Sequence, residues 1–259
     1  MKALFQTRWS GLGLIVLLLI GWEALARSGV LATVAFPPFT RVFDALWALV
    51  KTGQIAGLLL PSLERLFIGY CLALFFGVAF GIAMGYFRQA YVLFEPLTEI
   101  LRPIPSPAYV PIAILFLGLG NEMKIFVIAF TCFFPILLNT YSGVRAVDVI
   151  QINTARTFGK SASATLLKVI LPAALPHIFT GMRISLAIAL IMVVISEMVA
   201  SVDGIGYFIL NAQRSFRVPD MYAGVITLGL VGYTLNALFV RLERYVLRWH
   251  IDANRRESP

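Results

Sequence analysis

Between Arg65 and Arg88 the chain passes through residues 66–87 without one charged side chain. Crossing the hydrocarbon core of a bilayer takes about 20 mostly apolar residues in a helix, so this run alone is long enough to span. Comparable runs occupy roughly residues 11–27, 62–87, 92–118, 123–143, 176–200 and 222–246. Because lipid admits only structures whose backbone groups are all paired internally, the pattern predicts an all-α, polytopic bundle of six transmembrane helices. Composition agrees: 13% of the 259 residues are charged, about half the share of a soluble domain, and mean hydropathy is +0.87. A free-standing cytosolic enzyme, a secreted domain and a disordered tail are excluded.

A net charge of +8 would suggest nucleic acid in a soluble protein. In a bilayer protein the first explanation is topology, since Lys and Arg collect on the cytoplasmic side. With the N terminus inside, twelve of the 21 Lys and Arg fall on the cytoplasmic side, among them Lys2, Arg8, Arg145, Arg156, Lys160, Lys168, Arg255 and Arg256. Seven fall opposite, including Arg65 and Lys124, while Arg102 and Arg183 lie within spans. Both termini are therefore expected in the cytoplasm, with no nucleic-acid partner. Arg241, Arg244 and Arg248, interleaved with Tyr245 and Trp249, read as interfacial anchors.

Several segments admit two readings. The first run ends in Ala24, Leu25, Ala26, a pattern compatible with signal-peptide cleavage, but no soluble domain follows, which favours an uncleaved anchor. Residues 28–60 carry the amphipathic set Val42, Phe43, Ala45, Leu46, Leu49 and Val50, which suits a helix lying at the outer interface or a connector packed on the bundle. Gly69, Ala73, Gly77, Gly81 and Gly85 put a small residue at every fourth position of the second span. Such a ridge admits a close helix neighbour, from this chain or from a second copy.

Enzymatic chemistry finds no footing. Cys71 and Cys132 sit inside apolar runs, and His177 and His250 have no partners at metal-ligand spacing. Motifs of the HExxH and GxGD types and a phosphate loop with its Lys are missing from the sequence. If ATP drives this protein, another polypeptide must hydrolyse it.

The informative segment is polar, residues 145–176, too long for a simple connector. Residues 155–158 and 162–169 can each form a helix, with Gly159 free to take the positive φ of a tight turn between them. Asn153, Thr154 and Ala155 are followed by three residues, then Gly159, then nine residues, then Val169, Ile170, Leu171 and Pro172. This resembles the E-A-A, three, G, nine, I-x-L-P pattern of the EAA loop in membrane subunits of bacterial ABC importers. Asn153, Thr154 and Val169 depart from it in identity while the spacing is intact. Residues 102–111 (RPIPSPAYVP), 134–147 (FPILLNTYSGVRAV), 171–185 (LPAALPHIFTGMRIS) and 197–207 (EMVASVDGIGY) are similar to the nitrate, sulfonate and taurine permease group.

The resemblance implies a type I importer permease. It would form a homodimer, bind two cytoplasmic ATPase subunits that carry the ATP and Mg, and receive a small solute from a periplasmic binding protein. Asn153, Thr154, Ala155, Arg156, Thr157, Phe158, Gly159, Val169, Leu171 and Pro172 would form the ATPase-coupling loop. The physics of the segment agrees, because an apolar Phe158 exposed in the cytoplasm calls for a partner that buries it. On this division residues 1–60 hold the first span and the interfacial helix, 61–247 the transport core, and 248–259 a cytoplasmic tail. The chain itself would be no enzyme and would bind no cofactor.

For the translocation pathway the candidates are Glu99, Arg102, Pro103, Pro105, Pro107 and Glu197. Glu95, Glu99 and Arg102 share one helix face, and ionisable groups in a span line a cavity or pair with one another. Three prolines release backbone carbonyls that must meet water or protein, so the third span should be broken; transporters often place substrate sites at such breaks. Glu197 precedes Asp203, Gly204 and Gly206 in a turn-rich outer loop, where it suits gating, a binding-protein contact or a snorkelling helix end. A stand-alone secondary transporter remains the alternative, although the inverted repeat it calls for is not evident, and an intramembrane hydrolase is disfavoured by the placement of the two histidines.

Overall fold

A computed structural model describes residues 8–29 and 35–249. Lys2, Arg255 and Arg256, counted above for orientation, lie outside the described residues, as do the side chain of Arg8 and most of the 248–259 tail.

Three helices make the core: α3 (Gln54–Tyr86), α6 (Asn121–Arg145) and α9 (Leu171–Ala200). The small-residue ridge of α3 seats α6 of the same chain. A Cβ added at Gly69, Gly77, Gly81 or Gly85 would lie 2.6–2.8 Å from side-chain carbons of Ile128, Ile136, Thr140 and Val144 respectively. Both series rise together, so α3 and α6 run parallel, with β-branched side chains filling the notches that the glycines leave. Against α6 lies an antiparallel α9. Cys132 and Ser185 exchange hydrogen bonds, Ser185 Oγ donating to the Cys132 carbonyl at 2.8 Å and Cys132 Sγ to the Ser185 carbonyl at 3.3 Å. Gly143 at one end of this contact meets His177. Leu66, Met123, Val127, Ile128, Ile136 and Met192 fill the space between the three helices.

Around this core lie α1 (Arg8–Arg27), α2 (Phe39–Lys51), α10 (Ile205–Arg214) and α11 (Val218–Val246). Trp22 of α1 sits among Phe36, Phe39 and Tyr222 and donates its indole N–H to the Pro37 carbonyl at 3.0 Å. α2 buries Val42 and Leu49 while Phe43, Trp47 and Val50 point outward. It therefore packs on the bundle, as the connector reading expects, with Leu49 against α10 and α11, and also presents an apolar strip.

Among the described residues, four helices are long and apolar enough to cross a membrane: α3, α6, α11 and a continuous 39-residue helix Ala162–Ala200 that contains α9. Counting as one span the helix α4 (Arg88–Leu101) and the segment Ser106–Leu117, which meet at a bend of 88°, makes five; that segment contains α5 (Tyr109–Leu117). α1, with 20 residues and an exposed row from Leu14 to Leu18, is the remaining candidate toward six.

Three boundaries differ from the sequence expectation. α3 begins at Gln54 rather than at 62 because Pro61 is carried inside the helix. The expected start of the fifth span at 176 moves back to Ala162, since Pro172 and Pro176 are also tolerated. A π-helical turn, Leu166–Ile170, directly precedes Pro172, whose missing N–H and bulky ring disfavour regular α-helical hydrogen bonding there. The expected outer loop after Glu197 contains the helix α10.

Candidate functional site

At one end of the bundle, residues 145–170 fold over the ends of α6 and α9. Asp148 caps α7 (Val149–Thr157), its carboxylate accepting the Ile150 N–H at 2.8 Å. Gly159, at φ +70°, ends the helix: its N–H bonds the Arg156 carbonyl at 2.9 Å and Lys160 N–H bonds the Ala155 carbonyl at 3.1 Å. Paired carbonyls of this kind close a helix at a left-handed glycine. Ser161 then caps α8 (Ala162–Thr165), accepting the Ala164 N–H at 3.3 Å. Ala155 is the buried foot of α7, and Ile152 packs with Val147 and Ile170 beneath it. Asn153, Thr154, Arg156, Thr157 and Gly159 are exposed, while Val169, Leu171 and Pro172 are half-buried where the loop joins α9. Phe158 stands at the tip, 79% exposed, flanked on the same loop by exposed Val149, Ile150 and Leu167.

Halfway along the bundle the broken span leaves a pocket of about 330 Å³. α4 ends at Leu101, whose carbonyl accepts the Tyr109 hydroxyl at 2.8 Å, so a side chain replaces a bond that the prolines cannot make. A short 3-10 turn, Ser106–Ala108, then leads into α5. Pro103, Pro105 and Pro107 are exposed. Glu99 and Arg102 form a half-exposed ion pair at 3.1 Å, and Glu95 accepts the Tyr91 hydroxyl. The shared face of Glu95, Glu99 and Arg102 is thus divided into two local pairs.

Glu197 lies about 38 Å from Pro172 along α9, by a rise of 1.5 Å per residue, and its side chain has no exposure. It does not snorkel, and in this conformation it lines no open space. Arg65 Nη1 donates to it at 2.7 Å and Ser62 Oγ at 2.8 Å, while the Gly206 N–H reaches its second oxygen at 2.9 Å. Arg65 spends its other donors on Asp203 at 2.6 Å and Asn121 at 2.8 Å. The Asp203 carboxyl, on the loop between α9 and α10, is held below the usual carboxylate range by the hydrogen bond from Arg65, against a smaller opposing effect of burial. Lys124 is buried beside this cluster. Gly204 and Gly206 let the loop close on it, because a Cβ at Gly204 would lie 2.4 Å from the Glu197 carboxylate. Sequence reasoning singled out Glu197 but missed Ser62, Arg65, Asn121 and Lys124. The available signal was the placement of Arg65 and Lys124 at the edges of apolar runs, where an unpaired charge is costly.

Residues 73–250 match the family described as binding-protein-dependent transport system inner membrane component. The chain belongs to this family. Among the relatives of this permease component, SsuC of Bacillus subtilis, named for aliphatic sulfonates transport, is 32% identical over 92% of this chain and 87% of its own length. The bicarbonate transport system permease protein CmpB of Synechococcus elongatus is 40% identical over 73% of this chain and 68% of its own. The taurine transport system permease protein TauC of Escherichia coli is 29% identical over 92% and 89%. Of solved structures, an inward-facing methionine ABC transporter, MetNI, superposes with a TM-score of 0.64 at 18% identity, covering 72% of this permease and 93% of that chain. An amino acid ABC transporter crystallised with histidines gives 0.62 at 16% identity, over 78% and 97%. The fold is that of ABC importer membrane subunits, and the protein is an integral inner-membrane transport component.

Proposed function

We propose that this chain is the permease subunit of an importer for a small anionic or zwitterionic solute, of the sulfonate, taurine, nitrate or bicarbonate class. Two copies would form the pathway and two cytoplasmic ATPase subunits would drive it, with solute delivered by a periplasmic binding protein. On this reading both termini and the Gly159 turn face the cytoplasm, the Arg65–Glu197 cluster faces the periplasm, and the path runs past the break at residues 102–107. ATP binding draws the ATPases together, their motion moves the docked loops, and the continuous Ala162–Ala200 helix carries that motion to the far end of the bundle.

The observation that carries the reading is Phe158, four-fifths exposed on a loop whose spacing is that of an ATPase-docking element. Co-purification with a candidate ABC ATPase subunit, followed by uptake of taurine, alkanesulfonates, nitrate and bicarbonate into proteoliposomes, tests it. ATP hydrolysis by the isolated permease, or uptake that needs neither ATPase nor binding protein, would overturn it.

A further inference from the structure

The pocket at the broken span has a polar corner inside apolar walls. Ile104, Phe134, Leu138 and Ile188 supply the walls, and Arg102, Ser106 and Thr131 the corner. Thr131 is the telling residue. It lies on α6 in the core and is 6% exposed, yet among the described residues its hydroxyl has no hydrogen-bond partner. A buried hydroxyl without a partner is destabilising, and most threonines along these helices escape that cost by donating to a carbonyl four residues back, as Thr180, Thr227 and Thr234 do. Two on α6 do not, Thr131 and Thr140, and of these it is Thr131 that is among the residues lining the pocket. Ser106, half-buried on the 3-10 turn, likewise has no side-chain partner among the hydrogen bonds of the described residues. Among the described residues Arg102 is held only by the half-exposed Glu99, a contact that water screens and that an entering anion can replace.

Resting on the importer reading, we infer that this pocket is a transient solute site within the membrane domain. It takes an anion with a short apolar body: the guanidinium of Arg102 and the hydroxyls of Thr131 and Ser106 receive the anionic head, and the apolar walls receive the chain. The size fits, because small-ligand pockets begin at about 300 Å³. So does the position, since Thr131 and Ile188 lie midway along α6 and α9, where discontinuous helices of transporters place their substrates. The site is built for passage rather than retention. It offers neutral hydroxyls and one shared cation, and no fully desolvated charge waits for the solute.

The test is the full chain carrying Thr131→Cys in a Cys71→Ser background, purified with its ATPase. Two thiol reagents of equal reach are compared, 2-sulfonatoethyl methanethiosulfonate and 2-(trimethylammonium)ethyl methanethiosulfonate. The sulfonate reagent should label about tenfold faster or more, as a focused positive potential predicts. Millimolar ethanesulfonate should slow it, and Arg102→Ala should abolish the preference. Equal rates, failure of both reagents to label, indifference to ethanesulfonate, or a preference that survives Arg102→Ala would each overturn the site. Thr131→Val and Thr131→Ser give a second measurement in uptake: the apparent affinity for an alkanesulfonate should fall with Val and be kept by Ser. Loss of ATP-driven uptake in the parent protein with the labelling preference intact would instead reject the importer reading.

Discussion

Arg65→Met removes a guanidinium whose donors reach three partners on three different segments, Glu197 of α9, Asp203 of the following loop and Asn121 of α6. The flexible thioether fills much of the same volume, so the main loss is electrostatic. Glu197 would stay at zero exposure with only the Ser62 hydroxyl and the Gly206 N–H bonded to it and the buried Lys124 as its remaining cationic neighbour. Breaking a buried pair from one side costs about 3–5 kcal/mol. With about 2–4 °C per kcal/mol for a chain of this size, the melting temperature of the detergent-solubilised protein should fall by roughly 6–20 °C. Glu197→Gln keeps the shape and some of the hydrogen bonds, and should cost less than Arg65→Met. The pair of changes Arg65→Met and Glu197→Leu should recover part of the loss, because no uncompensated carboxylate is left at position 197. Melting curves of the parent, Arg65→Met, Glu197→Leu and the double variant, followed by tryptophan fluorescence, complete the cycle. A fall of less than about 2 °C for Arg65→Met, or strictly additive losses in the double variant, would refute the argument that this pair holds the ends of α3 and α9 together.

Gly159→Val should insert and dimerise normally yet lose its ATPase on co-purification; nothing lies within 4 Å of the added Cβ, so the damage comes from φ +70° alone, worth about 1–3 kcal/mol for a residue forced there. Phe158→Ala should weaken ATPase binding by about 2 kcal/mol, near thirtyfold, if the ring is the anchor of the interface; titration of the ATPase onto immobilised permease measures this. Gly81→Ala places a methyl group 2.6 Å from Thr140 Cβ and should lower stability by about 1–3 kcal/mol as α3 and α6 are pushed apart, whereas Gly229→Ala, with open space around it, should be neutral in the same melting assay. Asp203 has a folded-state value below its ordinary 3.8, so its contribution is present at neutral pH and disappears as pH falls through the lowered value. The stability gap between the parent and Asp203→Asn should therefore be constant from about pH 6 to 8 and close below about pH 4.

The features legible in the sequence are those governed by a few neighbouring residues. Apolar runs name the spans because each must satisfy lipid over its own length, and Pro103, Pro105 and Pro107 name the break because a missing N–H is a local defect. Gly159 names its turn, and the distance from Ala155 to Gly159 and on to Pro172 survives even where Asn153 and Val169 change the letters. What remained hidden depends on contacts far apart in the chain. The ridge from Gly69 to Gly85 announces a close neighbour, but only packing decided that it is α6 of the same chain, running parallel. Apolar runs beginning at 62 and 176 do not show that Pro61, Pro172 and Pro176 are carried inside helices, where packing and a π-helical turn offset the cost of a lost backbone bond. The sequence shows that Glu197 in an apolar span needs a partner, since its desolvation is too costly to leave unanswered; it does not show that the partner is Arg65, 132 residues away. Nor could it distinguish Thr131 from the threonines that bond their own helix, because whether a buried hydroxyl finds a partner is decided by the packing around it.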